Sequence, residues 1–184
     1  MIPIALKTEI LNILDKSEHG RERSHAKNTL FWLKKLRPSA SMALQIAALA
    51  HDIERCVLPR FMDKDFESHA EYKKAHSEKG AMILEEIMKH HDMKEKIIIE
   101  TTNLVRLHEV GGNLDADILM DADSISFFDN NLDFYISYKG FAGAIKQVDY
   151  KFQRCSPRAQ KYIVNLKMYK SFKKQIGQIK TDEP

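Results

Sequence analysis

The sequence predicts an all-α protein built as one domain, and three observations carry that reading. Only seven Gly and five Pro interrupt 184 residues. Apolar residues recur at helical spacing. No clean period-two run of β-branched residues marks a strand. A chain of this length buries a substantial core without disulfides or metal staples.

The elements follow in order. Ile4, Leu6, Ile10, Leu11, Ile13 and Leu14 form one helical stripe, and His19-Gly20 breaks it. A second helix sets His25, Thr29, Trp32 and Leu36 on one face. Pro38-Ser39 stops it and offers a fresh N-cap for an apolar helix, Met42 through Ala50. Residues 56–66 read as a loop. A long helix over about 67–89 is interrupted at His90-His91-Asp92, where Asp92 suits an N-cap for a helix over 94–109 that Gly111-Gly112 ends. A helix over 116–128 carries Asp121 and Asp123. Two or three more follow, the last a basic helix over about 157–176 with Ile163, Leu166, Tyr169 and Ile176 inward.

Composition narrows the setting. Hydrophobic content of 43% with 30% charged residues is ordinary for a soluble globular chain. The first sixteen residues lack the apolar core of a signal peptide, and no apolar run approaches bilayer length, since Gln45 breaks the longest. Cys56 and Cys155 fall in no metal or redox spacing and read as reduced thiols, so the expected location is cytoplasmic, with no membrane partner. Residues 151–184 hold nine Lys or Arg against Asp182 and Glu183, a segment of +7 in a chain of +3. Such a segment can meet nucleic acid or an anionic substrate, although a solvated helix face is the commoner outcome.

The chemistry centres on Ala47-Ala48-Leu49-Ala50-His51-Asp52-Ile53-Glu54-Arg55. Adjacent imidazole and carboxylate at the end of a rigid apolar helix are metal-ligand chemistry on a dry mounting. A hydrolytic site needs about three protein ligands with open positions beside them. His25, on an inward face, is one candidate. Asp121 and Asp123 lie in the apolar stretch Ile118–Ile125, where a carboxylate is expensive unless paired or metal-bound. They point about 200° apart, so at most one of the two faces His51. Arg55, one turn after His51, can grip phosphate bidentately, and Glu54 is a candidate base. A second His-Asp pair, His91-Asp92, reads as structural or solvated, and His69 and His90 as surface residues. Trp32, Phe127 and Phe128 read as core. Arg21, Arg23, Lys27 and Arg60 flank the site, and His19 lies near its mouth.

The order His25, His51-Asp52, Asp123 resembles the H…HD…D pattern of the HD-domain superfamily, all-α metal-dependent phosphohydrolases acting on nucleotides and related phosphate esters. The resemblance covers about residues 19–154, within a single domain spanning 1–184, and its Ala-Asp context selects Asp123 over Asp121. His76-Ser77-Glu78-Lys79-Gly80-Ala81-Met82-Ile83-Leu84 and Leu107-His108-Glu109 resemble motifs of the dinuclear HD-GYP-like branches, which implies a second metal at His76 and His108 with Asp52 bridging. The Gly-Tyr-Pro element is missing and one His, not two, precedes Glu109, so cyclic-dinucleotide specificity is not implied. The expectation is a phosphohydrolase with His25, His51, Asp52 and Asp123 as metal shell, joined by His76 and His108, and with Asp52, Arg55 and Glu54 in catalysis. Its cofactor is one or two divalent ions (Mn²⁺, Fe²⁺, Co²⁺, Ni²⁺, Zn²⁺ or Mg²⁺), and its partner a small phosphate-containing molecule. Three alternatives stand beside it: a dinuclear-iron oxygenase of the same fold, a non-catalytic metal- or nucleotide-sensing module, and a nucleic-acid-binding protein acting through its basic C-terminus.

Overall fold

The structure is a computed structural model that describes residues 1–181. Its helices are α1 (Ile4–Leu14), α2 (Glu22–Leu36), α3 (Met42–Ala50), α4 (His69–His90), α5 (Glu95–Leu107), α6 (Leu114–Ser126), α7 (Leu132–Gln153), α8 (Pro157–Ile163) and α9 (Lys167–Thr181). No strand occurs among the described residues, as the sequence predicts.

The buried axis is α3. Ala43, Leu44 and Ile46 through Ala50 are all inaccessible or nearly so, and α2, α5, α6 and α1 pack around the helix. Four alanines let those neighbours approach closely, while Leu44, Ile46 and Leu49 fill the space between them. Ser41 caps the helix by accepting from the Leu44 N–H at 3.1 Å. The axis ends at His51, and a 3₁₀ turn over Ile53–Cys56 tightens the exit. That turn sends Asp52 and Arg55 towards one side and Glu54 towards α4. Gly80 explains how α4 comes so near: a Cβ there would lie 3.5 Å from the His51 carbonyl oxygen and 3.6 Å from Val105 Cγ1. A larger side chain would push α4, and His76 with it, off the site.

Four boundaries depart from expectation. The cap that opens α3 is Ser41, three residues beyond Pro38, and not Ser39. The last helix is two: i→i+3 bonds from Asn165 and Leu166 turn the backbone, and the Asn165 amide donates to the Lys161 carbonyl at 2.8 Å, ending α8 before α9 begins. Asp92 does not cap α5. It has a positive φ of 49° in the turn after α4, and Lys94 occupies the N-cap position without a side-chain bond. After α6 the backbone widens into a π-type turn, Phe127–Asn131, in place of the end of a regular helix. Ile4 falls off the buried stripe of α1 and is 82% exposed. Trp32, Phe127 and Phe128 are core, and His91 is tied to Glu9 at 2.7 Å, far from His51 in function. Cys56 and Cys155 are free and buried, and burial pushes their thiols up to about 12 and about 11. No helix among the described residues is long and apolar enough to cross a membrane.

α7 is kinked at Gly140, with φ 73° and ψ 167°. This region of backbone space is essentially closed to L side chains. No neighbour lies within 4 Å of a Cβ built there, so the angle alone requires glycine. Gly140→Ala is therefore expected to destabilise the protein by about 1–3 kcal/mol, read as a lower urea midpoint with an unchanged slope.

Candidate metal centre

Five helices converge on one buried point. His25 comes from the inward face of α2, His51 and Asp52 from the end of α3, His76 from α4 and His108 from the end of α5. Asp123 arrives from α6, a helix started by Asn113, which accepts from the Asp115 and Ala116 N–H groups. None of the six is more than 6% exposed.

Asp52 sits in the middle, and its two oxygens face different partners. Oδ2 lies 3.5 Å from His51 Nε2 and 3.8 Å from His25 Nε2, while Oδ1 is 2.9 Å from His76 Nε2 and 3.9 Å from His108 Nε2. His25, His51 and Asp52 form one trio and Asp52, His76 and His108 another. Within each, the ligand atoms lie within 4.8 Å of one another. Asp123 Oδ1 closes the first trio, 3.0 Å from His25 Nε2 and 3.6 Å from His51 Nε2. Of the two carboxylates of α6, Asp123 is therefore the one that faces His25 and His51. Asp121 points the other way and accepts from the Ser156 N–H at 2.8 Å and from its hydroxyl.

Burial disfavours a protonated His51, but Asp52 and Asp123 outweigh it and raise its pKa, so this point favours a cation, whether a proton or a metal ion. His51 Nδ1 donates to the Ala48 carbonyl at 3.2 Å and His108 Nδ1 to the Val105 carbonyl at 2.7 Å. A carbonyl only accepts, so in the neutral rings Nδ1 carries the proton and Nε2 a lone pair. Both Nε2 atoms are buried and have no hydrogen-bond partner. Two orphaned lone pairs facing two anionic carboxylates are what a buried dication would satisfy. Burial disfavours ionised Asp52, but Arg55, His51 and His76 outweigh it and hold the carboxyl well below the usual range. Lys151, His25, His51 and Arg154 do the same for Asp123. Burial, joined by the neighbouring His51 and His76 and only partly opposed by Glu109, holds the His108 imidazole down to about 4.

Around the trios stand groups that orient them. Glu54, a candidate base on sequence grounds, is fully buried and otherwise occupied. It holds His76 Nδ1 at 2.9 Å and accepts from the Phe61 N–H at 3.1 Å and from Lys79 at 3.2 Å. Its place is behind His76, fixing that ring. Arg55 Nη1 lies 3.2 Å from Asp52 Oδ2. Of the flanking cations, Arg23 pairs with Asp15 and Arg60 with Glu18, leaving Arg21 at the site.

A family model described as "Domain of unknown function (DUF4202)" matches residues 8–176. The chain belongs to this family. All six ligand candidates lie inside the matched range. The description assigns no activity, and no curated protein or solved structure matches the chain. For this DUF4202 chain, then, the chemistry rests on the centre itself.

Beside the centre opens a cavity of about 250 Å³ whose floor includes His25, Asp52 and Asp123. Lys151 and Glu109 on its wall were not singled out from sequence as working groups. Lys151 Nζ lies 2.6 Å from Asp123 Oδ2. Glu109 accepts from Arg154 at 2.8 Å and pairs with Lys73 at 3.1 Å, with its other oxygen 3.8 Å from His108 Nε2. A signal existed for Lys151: Ala144, Val148 and Lys151 share one buried stripe of α7, where a lysine needs a partner.

Proposed function

We propose that this chain is an HD-type metal-dependent phosphohydrolase acting on a small phosphate ester. The observation that carries the reading is Asp52, whose two oxygens face separate buried ligand sets beside a cavity lined with cations. When bound there, divalent ions lower the pKa of a coordinated water and neutralise phosphate oxygens. The chain's own residues supply the rest. Arg21, Arg55, Lys73 and Lys151 line the cavity with Glu22, Asp52, Glu109 and Asp123, so side chains alone leave it near neutral. Any bound dication makes it net positive, which favours an anionic ligand. Arg55 is the residue placed to grip phosphate, because its guanidinium stands at the cavity edge, 3.2 Å from Asp52. Lys151 and Arg154 hold Asp123, and Glu54 holds His76, so neither ligand has to be ordered when an ion arrives.

The test is direct. His51→Ala and Asp52→Ala, each assayed with Mn²⁺ on a generic ester such as p-nitrophenyl phosphate, are expected to lose at least about 100-fold in hydrolysis. Turnover that survives both changes would sink the assignment. A second reading, oxygenation at a dinuclear iron site, is supported by the convergence of His76 and His108 on Asp52. It predicts that the iron-loaded protein changes absorbance with oxygen and releases no phosphate.

A further inference from the structure

His25 is held at both ring nitrogens by one helix. Asp123 and Ser126, three residues apart on the same face of α6, lie at opposite edges of its imidazole. Asp123 Oδ1 is 3.0 Å from Nε2, and Ser126 Oγ is 3.0 Å from Nδ1. Ser126 is fully buried and His25 is 3% exposed, so both bonds are shielded from bulk solvent. The Ser126 hydroxyl has a second neighbour, the His25 carbonyl oxygen at 3.1 Å.

The other three imidazoles of the centre are more tightly specified. Nδ1 of His51 faces the Ala48 carbonyl at 3.2 Å, Nδ1 of His108 the Val105 carbonyl at 2.7 Å, and Nδ1 of His76 the Glu54 carboxylate at 2.9 Å. Carbonyls and carboxylates only accept, so each of these rings keeps a proton on Nδ1. A hydroxyl both gives and takes, and His25 is the one ring of the four whose Nδ1 has such a partner alone. Two proton arrangements of the same atoms satisfy it. In the first, Nε2–H donates to Asp123 and Nδ1 accepts the Ser126 hydroxyl proton. In the second, the hydroxyl turns to the His25 carbonyl, its oxygen accepts from Nδ1–H, and Nε2 keeps a bare lone pair.

Only the second arrangement suits ligation. With no ion present it would set that lone pair against the Asp123 carboxylate at 3.0 Å, so the first is favoured there. The ring gives up one proton at Nε2 and takes one at Nδ1, which leaves its charge unchanged. Without the hydroxyl, the second arrangement would strand a buried Nδ1–H. We propose that Ser126 is a positioning residue that lets His25 pass from the first tautomer, paired with Asp123, to the second, which presents Nε2 to an ion. The inference rests on the metal centre of the phosphohydrolase reading and not on the hydrolysis.

¹⁵N NMR of the imidazoles reads the tautomer directly, in chelated protein and in protein loaded with diamagnetic Zn²⁺. At about pH 8, where an ordinary imidazole is neutral, His25 should carry its proton on Nε2 in the chelated sample and on Nδ1 in the Zn²⁺ sample. His108 should carry its proton on Nδ1 in both. Ser126→Ala should weaken Zn²⁺ beside His25 by about 10- to 100-fold, measured by competition with a chromophoric chelator, and spare the ion between Asp52, His76 and His108. Ser126→Thr keeps the hydroxyl and should retain the affinity that Ser126→Ala loses. A His25 tautomer that is the same in both samples would overturn the switch, and that comparison needs no variant. Ser126→Ala that binds both ions as tightly as the unaltered protein would overturn it as well. Unaltered protein that takes up no ion removes the metal centre, and the switch and the hydrolase with it. A Zn²⁺-dependent change of tautomer in a protein that hydrolyses no ester removes the hydrolase reading alone.

Discussion

Asp52→Ala should strip the protein of both metal ions at once, whereas His25→Ala and His76→Ala should each compromise one. The asymmetry follows from geometry: Oδ2 faces His25 and His51, and Oδ1 faces His76 and His108. A ligand that binds only the folded state at about 1,000 times its dissociation constant stabilises by about 4 kcal/mol. For a chain of this size that is on the order of 8–16 °C in melting temperature. The unaltered protein should show this rise when Mn²⁺ is added after chelation, and Asp52→Ala should show none. Asp52→Asn separates lost ligation from lost packing, because it keeps the volume and removes the charge. Elemental analysis of dialysed samples gives the stoichiometry. Metal content in Asp52→Ala equal to that in His76→Ala would rule out a shared carboxylate.

The fold was legible because its signals are local. Helical spacing and the scarcity of Gly and Pro are read residue by residue, and α1 through α6 fall close to their expected spans, although the cap of α3 falls at Ser41 and not at Ser39. The candidate ligands were legible for a related reason. His25, His51, Asp52 and Asp123 are polar residues on apolar faces, and burial makes such residues conspicuous. What stayed hidden depends on direction across space. Glu54 and Arg55 are neighbours in sequence, yet the 3₁₀ turn sends one behind His76 and the other into the cavity. No periodicity argument covers a four-residue turn. The basic C-terminal segment was read by its net charge, which concealed two different fates. Lys151 and Arg154 are buried against carboxylates of the site, while Lys170, Lys173 and Lys174 are exposed on α9. Asp182 and Glu183, which entered that charge count, lie outside the described residues.

Arg154 is where those buried cations matter most for stability. Its side chain, 8% exposed, donates to Ser124 Oγ at 2.9 Å, to Glu109 Oε2 at 2.8 Å and to Asp123 Oδ2. Burial alone would raise the pKa of both carboxylates. His108, Lys151 and Arg154 around Glu109, and Lys151, His25, His51 and Arg154 around Asp123, more than reverse it. Both folded-state values therefore lie below the unfolded ones. The stability they contribute is fully present above the unfolded carboxylate pKa of about 4, and it is lost as pH falls through the folded values. Arg154→Met leaves two buried carboxylates short of a partner, a change expected to destabilise by about 3–5 kcal/mol at pH 7. Lys151→Met should do less, since Lys151 makes its one direct carboxylate contact with Asp123 and Arg154 remains. The difference between Arg154→Met and the unaltered protein should narrow below about pH 4, where protonation neutralises the stranded carboxylates. Saturating Mn²⁺ should recover part of it at pH 7 by supplying positive charge beside Asp123. Urea unfolding of chelated and metal-loaded samples at about pH 7, 5 and 3 measures these effects. A deficit of the same size at every pH would mean that Arg154 acts through packing and that the carboxylates of the metal centre do not need its charge.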